Sequence, residues 1–376
     1  MPTPTLSLAL IVKDEERCLA RCLSSTAGLF DETVVLDTGS TDRTVAIADE
    51  HGATVHTFAW VDDFAAARNA AIAHTSGDWV LMLDADEWLL PGADAVLADV
   101  RRQAPTFVGE IDVASTIGLR TAGDPGLDGR KPGTRREESP DSAVDGGTTA
   151  SGWIPRLLPR GVRWTGRIHE QPDWSGPILR TGIRAGHDGY TPELIAAKRG
   201  RNAALLRTEL QEQPDDAYLL LQLGRALESD REYADAADTY LRALSLTDPA
   251  VPARHDLVVR LLFTLGQADR TQEALDVADA EGTRWSESPD FHFCLGDLLL
   301  THGIAHPEDT TQVLPMIEGA WLRALEIGDR PDLVGAVAGR GGHLAAYNLA
   351  VLYESMGQPG RASEFHQRSR DLRPLR

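Results

Sequence analysis

Cysteine is scarce in this chain, with three among 376 residues. So small and odd a set gives no disulfide framework. Cys18 and Cys22 stand one helical turn apart, the spacing of thiols packed under a helix in a reducing cytoplasm. Basic residues are also short, 37 against 57 acidic, for a formal net charge of −20 and a pI near 4.9. A surface that acidic repels polyanions, which argues against duplex nucleic acid and anionic lipid as main partners. The amino-terminal stretch MPTPTLSLALIVKDEE lacks a basic n-region and a cleavage site, and its apolar run stops at Lys13 and Asp14. That run is too short for a membrane span, so neither signal nor anchor is expected there and the expected location is cytoplasmic. The rest of the composition, 42% hydrophobic and 25% charged, is that of a soluble globular protein and excludes fibrous and fully disordered classes. At roughly 150 residues per domain, the length allows two.

Within residues 1–192 the pattern alternates between strand and helix. Aliphatic runs at 6–12, 33–36, 54–58 and 79–83 read as strands, and 15–29, 43–51 and 64–74 carry helical spacing. Asp42 is placed to cap the second helix and Gly52 to end it. Repeated βα units predict an α/β domain with an open, mostly parallel sheet and helices on both faces. Ligands bind such sheets beyond the carboxyl ends of the strands, where the segments 14–16, 37–42 and 84–87 all fall. Residues 118–152 are rich in Gly, Pro, Ser and charge and are expected to form a mobile surface loop, a disordered insertion in preference to a lid. Short strands follow at 153–158 and 178–183. Trp153, Trp164 and Trp174 are expected to be core residues.

From 193 to 376 the chain reads as helical, with an internal repeat. Placing Gly224 at the eighth position of a 34-residue helix-turn-helix unit sets Leu223, Ala236, Tyr240 and Ala243 at its apolar consensus positions. Leu349, Ala350, Tyr353, Ala362 and Pro374 fall in register in the last unit, and two looser units lie between. This run resembles tetratricopeptide repeats, which stack into a curved all-α solenoid whose concave face holds a peptide.

The chemistry centres on Asp84-Ala85-Asp86 at the end of the fourth strand. Two carboxylates so placed can share a divalent cation that neutralises a diphosphate leaving group. Asp37, ending the second strand, can accept from a base or ribose. Arg68 offers a guanidinium to the nucleotide side, or else pairs with Asp62 or Asp63. A glycine-rich phosphate loop is missing, since Val12-Lys13-Asp14 follows the first strand, which argues against Rossmann cofactors and P-loop chemistry.

The blocks LALIVKDEERCLARCLSS, ETVVLDTGSTDRT, WVDDFAAARNAA and SGDWVLMLDADEWL, all in the first ninety residues, resemble successive blocks of family 2 glycosyltransferases. The resemblance implies the GT-A fold, a Rossmann-like α/β architecture, and a nucleotide-sugar donor. By position, Ile11 and Lys13 would line the nucleobase and Asp37 would bind the base. Arg68 would lie on the donor side and Asp84 would face the ribose or sugar. Asp86 would hold the metal, Mg²⁺ or Mn²⁺. Family members commonly have Asn where this chain has Asp14, which receives no contact here. Ile168-His169-Glu170 and His187-Asp188-Gly189-Tyr190 resemble blocks of the repeat-bearing branch. They imply His187 as a further metal ligand and Glu170, beside His169, as the base, with Asp173 and Asp188 as rivals for that role. For both histidines the alternative is a hydrogen bond tying strand ends together.

The pairing of such a domain with tetratricopeptide repeats resembles the sublancin-type peptide S-glycosyltransferases, which modify Cys in a bacteriocin precursor. It implies an inverting enzyme transferring a hexose, from a UDP-sugar first among donors, to Cys, Ser or Thr of a peptide or protein held by the repeats. A cell-envelope or polysaccharide glycosyltransferase with the repeats as a docking module is one alternative, and a non-catalytic scaffold with a vestigial nucleotide site is another. Neither the oligomeric state nor the sugar is specified by the sequence.

Overall fold

The computed structural model describes residues 3–117, 148–187 and 200–373. Two compact units divide the chain, Met1–Arg199 and Gly200–Arg376. In the first, the strands β1 (Leu6–Val12), β2 (Glu32–Asp37), β3 (Thr54–Thr57), β4 (Trp79–Asp84), β5 (Glu87–Leu89), β6 (Val108–Ile117) and β7 (Thr148–Pro159) are followed by a short ribbon of β8 (Trp164–Thr165) and β9 (Gln171–Pro172), and then by β10 (Ile178–His187). The main sheet has eight strands in the order β3-β2-β1-β4-β7-β6-β10-β5. β1, β2, β3 and β4 run parallel, as do β6 and β10, whereas β7 opposes β4 and β6, and β5 opposes β10.

Both faces of the sheet are covered, as the unbroken aliphatic strands require. Leu6, Leu8, Leu10 and Val12 of β1 pack on one side against the helices α1 (Leu19–Thr26), α2 (Thr44–Glu50) and α4 (Ala93–Val100). Ala9, Leu36, Val80 and Met82 face the other way, against α3 (Phe64–Ala73) and Trp164.

Several expectations need correction. Helix α1 starts only at Leu19, because Asp14 takes a left-handed backbone (φ 54) and a turn intervenes. Residues 148–152 belong to β7 and not to a loop, paired along β6; residues 118–147 lie outside the described residues. Trp153 is exposed, whereas Trp164 is buried. Cys18, Cys22 and Cys294 are free and buried, and burial pushes their thiols up, Cys294 to about 11.

In the second unit, helix α5 (Arg201–Glu212) precedes the antiparallel pairs α6 (Ala217–Ser229) with α7 (Tyr233–Leu246), α8 (Arg254–Gln267) with α9 (Thr271–Gly282), α10 (Pro289–Ala305) with α11 (Thr310–Ile327), and α12 (His343–Ser355) with α13 (Pro359–Asp371). The consensus positions behave as the repeat requires. Gly224 lies so close to Tyr240 that a Cβ would sit 2.2 Å from its ring, and Ala236, Ala243, Leu349, Ala350, Tyr353 and Ala362 are buried. Pro374 lies outside the described residues. Among the described residues no helix is long and apolar enough to cross a membrane.

Candidate active site

Strand direction decides which residues meet. Because β4 is antiparallel to β7 and β7 to β6, the strands β1, β2, β4, β6 and β10 all end at the same edge. That edge therefore carries Val12, Asp37, Asp84 and His187. Ile11 stands beside Asp84 and Val12 beside Asp37 in register. Ile11 is half-buried and Lys13 exposed. Asp37 is buried and its carboxylate accepts from the backbone N–H of Gly39 and of Ser40, at 3.2 and 3.0 Å. Asp14 ties the first loop to the second, accepting from Thr41 N–H at 2.7 Å while its own N–H donates to Ser40 Oγ at 2.9 Å. Its left-handed backbone is one that Asn and Asp tolerate better than other non-glycine residues, which accounts for the family's Asn without a ligand contact.

Helix α3 delivers Arg68. Asp63 caps it, accepting from Ala66 N–H at 2.8 Å. Asn69 then docks the helix on the chain beyond β7, donating to Trp164 O at 2.9 Å and accepting from Trp164 N–H at 2.8 Å. This reciprocal pair brings Glu170 within reach of Arg68. Arg68 does not pair with Asp62 or Asp63. Its Nη2 donates to Asp84 Oδ1 at 2.7 Å and its Nε to Glu170 Oε1. Arg68 is 5% exposed, with Nη1 lacking a partner among the described residues and the guanidinium 5.4 Å from the Trp164 ring. His169 is exposed on a left-handed turn (φ 53). Asp173 is exposed, and Asp188 lies outside the described residues.

Of two further residues of this cluster, Arg156 escaped the sequence reading and Glu87 was placed at the strand ends, within the segment 84–87, without a role. Arg156 of β7, 6% exposed, donates through Nη2 to Asp84 Oδ2 at 2.5 Å and to Glu87 Oε1 at 3.0 Å. Glu87, also buried, accepts Asp84 N–H on Oε2 at 2.9 Å. Burial alone would push the Asp84 carboxyl up, but the guanidiniums of Arg156 and Arg68 override it and hold it well below the usual carboxylate range. For Glu87 burial wins and the carboxyl is raised, Asp84 adding to the effect against Arg156. A single Arg inside the apolar run IPRLLP was the signal to follow, since a buried charge is rarely left unpaired.

Asp86 and His187 are brought together, His187 Nε2 lying 3.3 Å from Asp86 Oδ2 with both side chains largely buried. Burial would lower the imidazole, yet its hydrogen bond to Asp86 raises it. Among the described residues no group of three or more His, Cys, Asp or Glu side chains converges as a metal cage. One carboxylate oxygen and one imidazole nitrogen nevertheless fit a Mg²⁺ or Mn²⁺ ion whose other ligands are phosphate and water, the usual arrangement for these ions.

Comparison with known proteins gives the following matches. The family model for Glycosyl transferase family 2 matches residues 7–150, and a tetratricopeptide repeat model matches residues 219–250. A TPR repeat-containing protein of Synechococcus elongatus is 35% identical over 73% of this chain and 64% of its own length. The SPbeta prophage-derived glycosyltransferase SunS of Bacillus subtilis is 28% identical over 75% and 64%. The chain thus spans about two thirds, 64%, of these curated relatives. Glucosyl-3-phosphoglycerate synthase of Mycobacterium tuberculosis, solved with Mn²⁺ and uridine-diphosphate-glucose, aligns at 25% identity over 29% of this chain and 44% of that one, with a TM-score of 0.27. Residues 7–150 thus carry a family 2 glycosyltransferase domain, and tetratricopeptide repeats follow it.

Proposed function

We propose that this chain is an inverting glycosyltransferase that transfers a hexose from a nucleotide sugar, a UDP-sugar first among donors, to a Cys, Ser or Thr side chain of a peptide or protein. The observation that carries the reading is the division of labour at one sheet edge: Asp84 is held by two guanidiniums, Asp86 stands against His187, and Glu170 shares Arg68 with Asp84. Asp37, with Ile11 and Lys13 beside it, takes the nucleobase, and Asp84 faces the ribose or sugar. Asp86 and His187 would hold a divalent cation, which when bound neutralises charge on the departing diphosphate. Arg68 stabilises that same charge. Glu170 accepts the proton of the acceptor S–H or O–H as the new bond to C1 forms and the bond from C1 to the phosphate oxygen breaks. A peptide acceptor is supported by the resemblance to the sublancin-type peptide S-glycosyltransferases and by the repeats, whose stacked helix pairs offer an extended surface.

The test is to incubate the full-length protein with UDP-glucose, UDP-galactose, UDP-N-acetylglucosamine or GDP-mannose, with Mn²⁺ or with a chelator. Nucleoside diphosphate release is followed first, then the intact mass of candidate peptides encoded beside the gene. Cation-dependent release from a UDP-sugar and a hexose gained by one peptide are expected. No turnover of any donor would overturn the reading.

A further inference from the structure

The buried charges around Asp84 support an assignment that rests on the proposed donor site and goes further. We propose that Arg156 is a positioning residue for the transfer reaction, fixing Asp84 for the donor.

Both oxygens of Asp84 are engaged, Oδ1 by Arg68 Nη2 at 2.7 Å and Oδ2 by Arg156 Nη2 at 2.5 Å. A cation bound to the same oxygens would meet two guanidiniums at contact distance, and like charges that close repel strongly in a partly buried site. Asp86 has a different neighbour, His187. The two aspartates of one short motif are therefore sorted by their partners, one for arginine and one for the ion.

Arg156 does more than balance charge. Its Nη2 spans Asp84 and Glu87, and Glu87 in turn takes the Asp84 backbone N–H, so side chain and main chain of Asp84 are fixed by one buried unit. Arg156 Nε, also buried, has no partner among the described residues. Asp84 itself keeps about a third of its side chain exposed, 34%, while Arg156 keeps 8%. The carboxylate faces the crevice and the arginine acts through it.

The experiment compares full-length wild type with Arg156→Lys and with Arg156→Met combined with Glu87→Gln, which removes both members of the buried pair together. Each is measured with Mn²⁺ and the best donor of the four-sugar panel for KM, kcat and the Mn²⁺ concentration giving half activity, with UDP binding by calorimetry and thermal midpoint alongside. The expected result is a donor KM raised about tenfold or more, weaker UDP-sugar saturation in both variants, smaller in Arg156→Lys, and an unchanged Mn²⁺ half-activation. Adding Asp84→Asn to either variant should cost little beyond the larger single effect, since both act through one carboxylate. Folded variants with wild-type KM and kcat would overturn the proposal, as would a shift in Mn²⁺ half-activation at unchanged donor KM. If the Met and Gln combination does not fold, Arg156→Lys decides alone, because it keeps the charge and loses the fork. Failure of the donor reading is separate: wild type itself would then turn over no sugar.

Discussion

Glu170 is bound by Arg68, Nε to Oε1, across 102 positions of sequence. The carboxylate proposed to take the acceptor's proton is thus held by the arginine that also holds Asp84. Such a pair keeps Glu170 aimed, one requirement for a base. Glu170→Gln should lower transfer by on the order of 10²–10⁴-fold while donor and metal binding survive. For a thiol acceptor the loss should shrink at high pH, where the thiolate forms unaided; for a hydroxyl acceptor it should not. Wild-type transfer by the variant at neutral pH moves the base elsewhere, with Asp173 next to change.

Asp86→Asn keeps the shape of the side chain and removes the charge that faces His187. Cation-dependent turnover should fall by roughly a hundredfold, about 3 kcal/mol of transition-state stabilisation, with no comparable loss of thermal midpoint. Steady-state rates across a Mn²⁺ titration check this. Near-normal activity at ordinary Mn²⁺ would remove Asp86 from the cation site.

The parallel half of the sheet was legible because its strands are covered on both faces and read as unbroken aliphatic runs, with Asp37 and Asp84 marking their ends. β6 went unread because it alternates: Ile111 and Val113 face the core while Glu110 and Asp112 do not. A run broken every second residue beside a glycine-rich segment carries little signal. The DxD pair was legible from its place after β4, yet the partners that give each aspartate its task come from far along the chain, Arg156 and Glu170 for one cluster and His187 for Asp86. Nothing local predicts which of several arginines a fold will bury. Arg68 illustrates it: Asp62 and Asp63 were nearest in sequence, but Asp63 is used as the helix cap.

Repeat packing yields a third prediction. A Cβ at Gly224 would stand 2.2 Å from Tyr240 Cε1, and the ring cannot retreat, being fully buried with its hydroxyl donating to Glu228 at 2.8 Å. Gly224→Ala should destabilise by about 1–3 kcal/mol through overpacking. Gly319→Ala, an exposed helical position where a Cβ meets nothing within 4 Å, should instead be neutral or stabilising by up to about 1 kcal/mol. Chemical denaturation of both variants checks the pair, and equal midpoints would show that the second repeat helix yields freely to its glycine.

The last prediction concerns Asp297 on α10. Burial pushes its carboxyl up from 3.8 to about 6, against the opposing pull of Arg340 and of the hydrogen bonds from Trp321 Nε1 and Asn348 Nδ2. An acid whose folded pKa lies above its unfolded value binds protons more readily when folded, so it destabilises the fold once ionised. The penalty is complete above about pH 6, falls as pH drops from about 6 toward 3.8, and is gone below. Asp297→Asn keeps an oxygen that accepts from both Trp321 and Asn348, and it never ionises. The variant should therefore exceed wild type in stability by on the order of 1–3 kcal/mol at pH 8, and the advantage should shrink steadily as the pH is lowered from 6 to 4. Denaturant midpoints for both proteins at pH 8, 6 and 4 provide the check. An advantage that is constant across the series, or a variant weaker at pH 8, would mean that Asp297 is ionised in the folded protein at no cost, its charge fully compensated by Arg340.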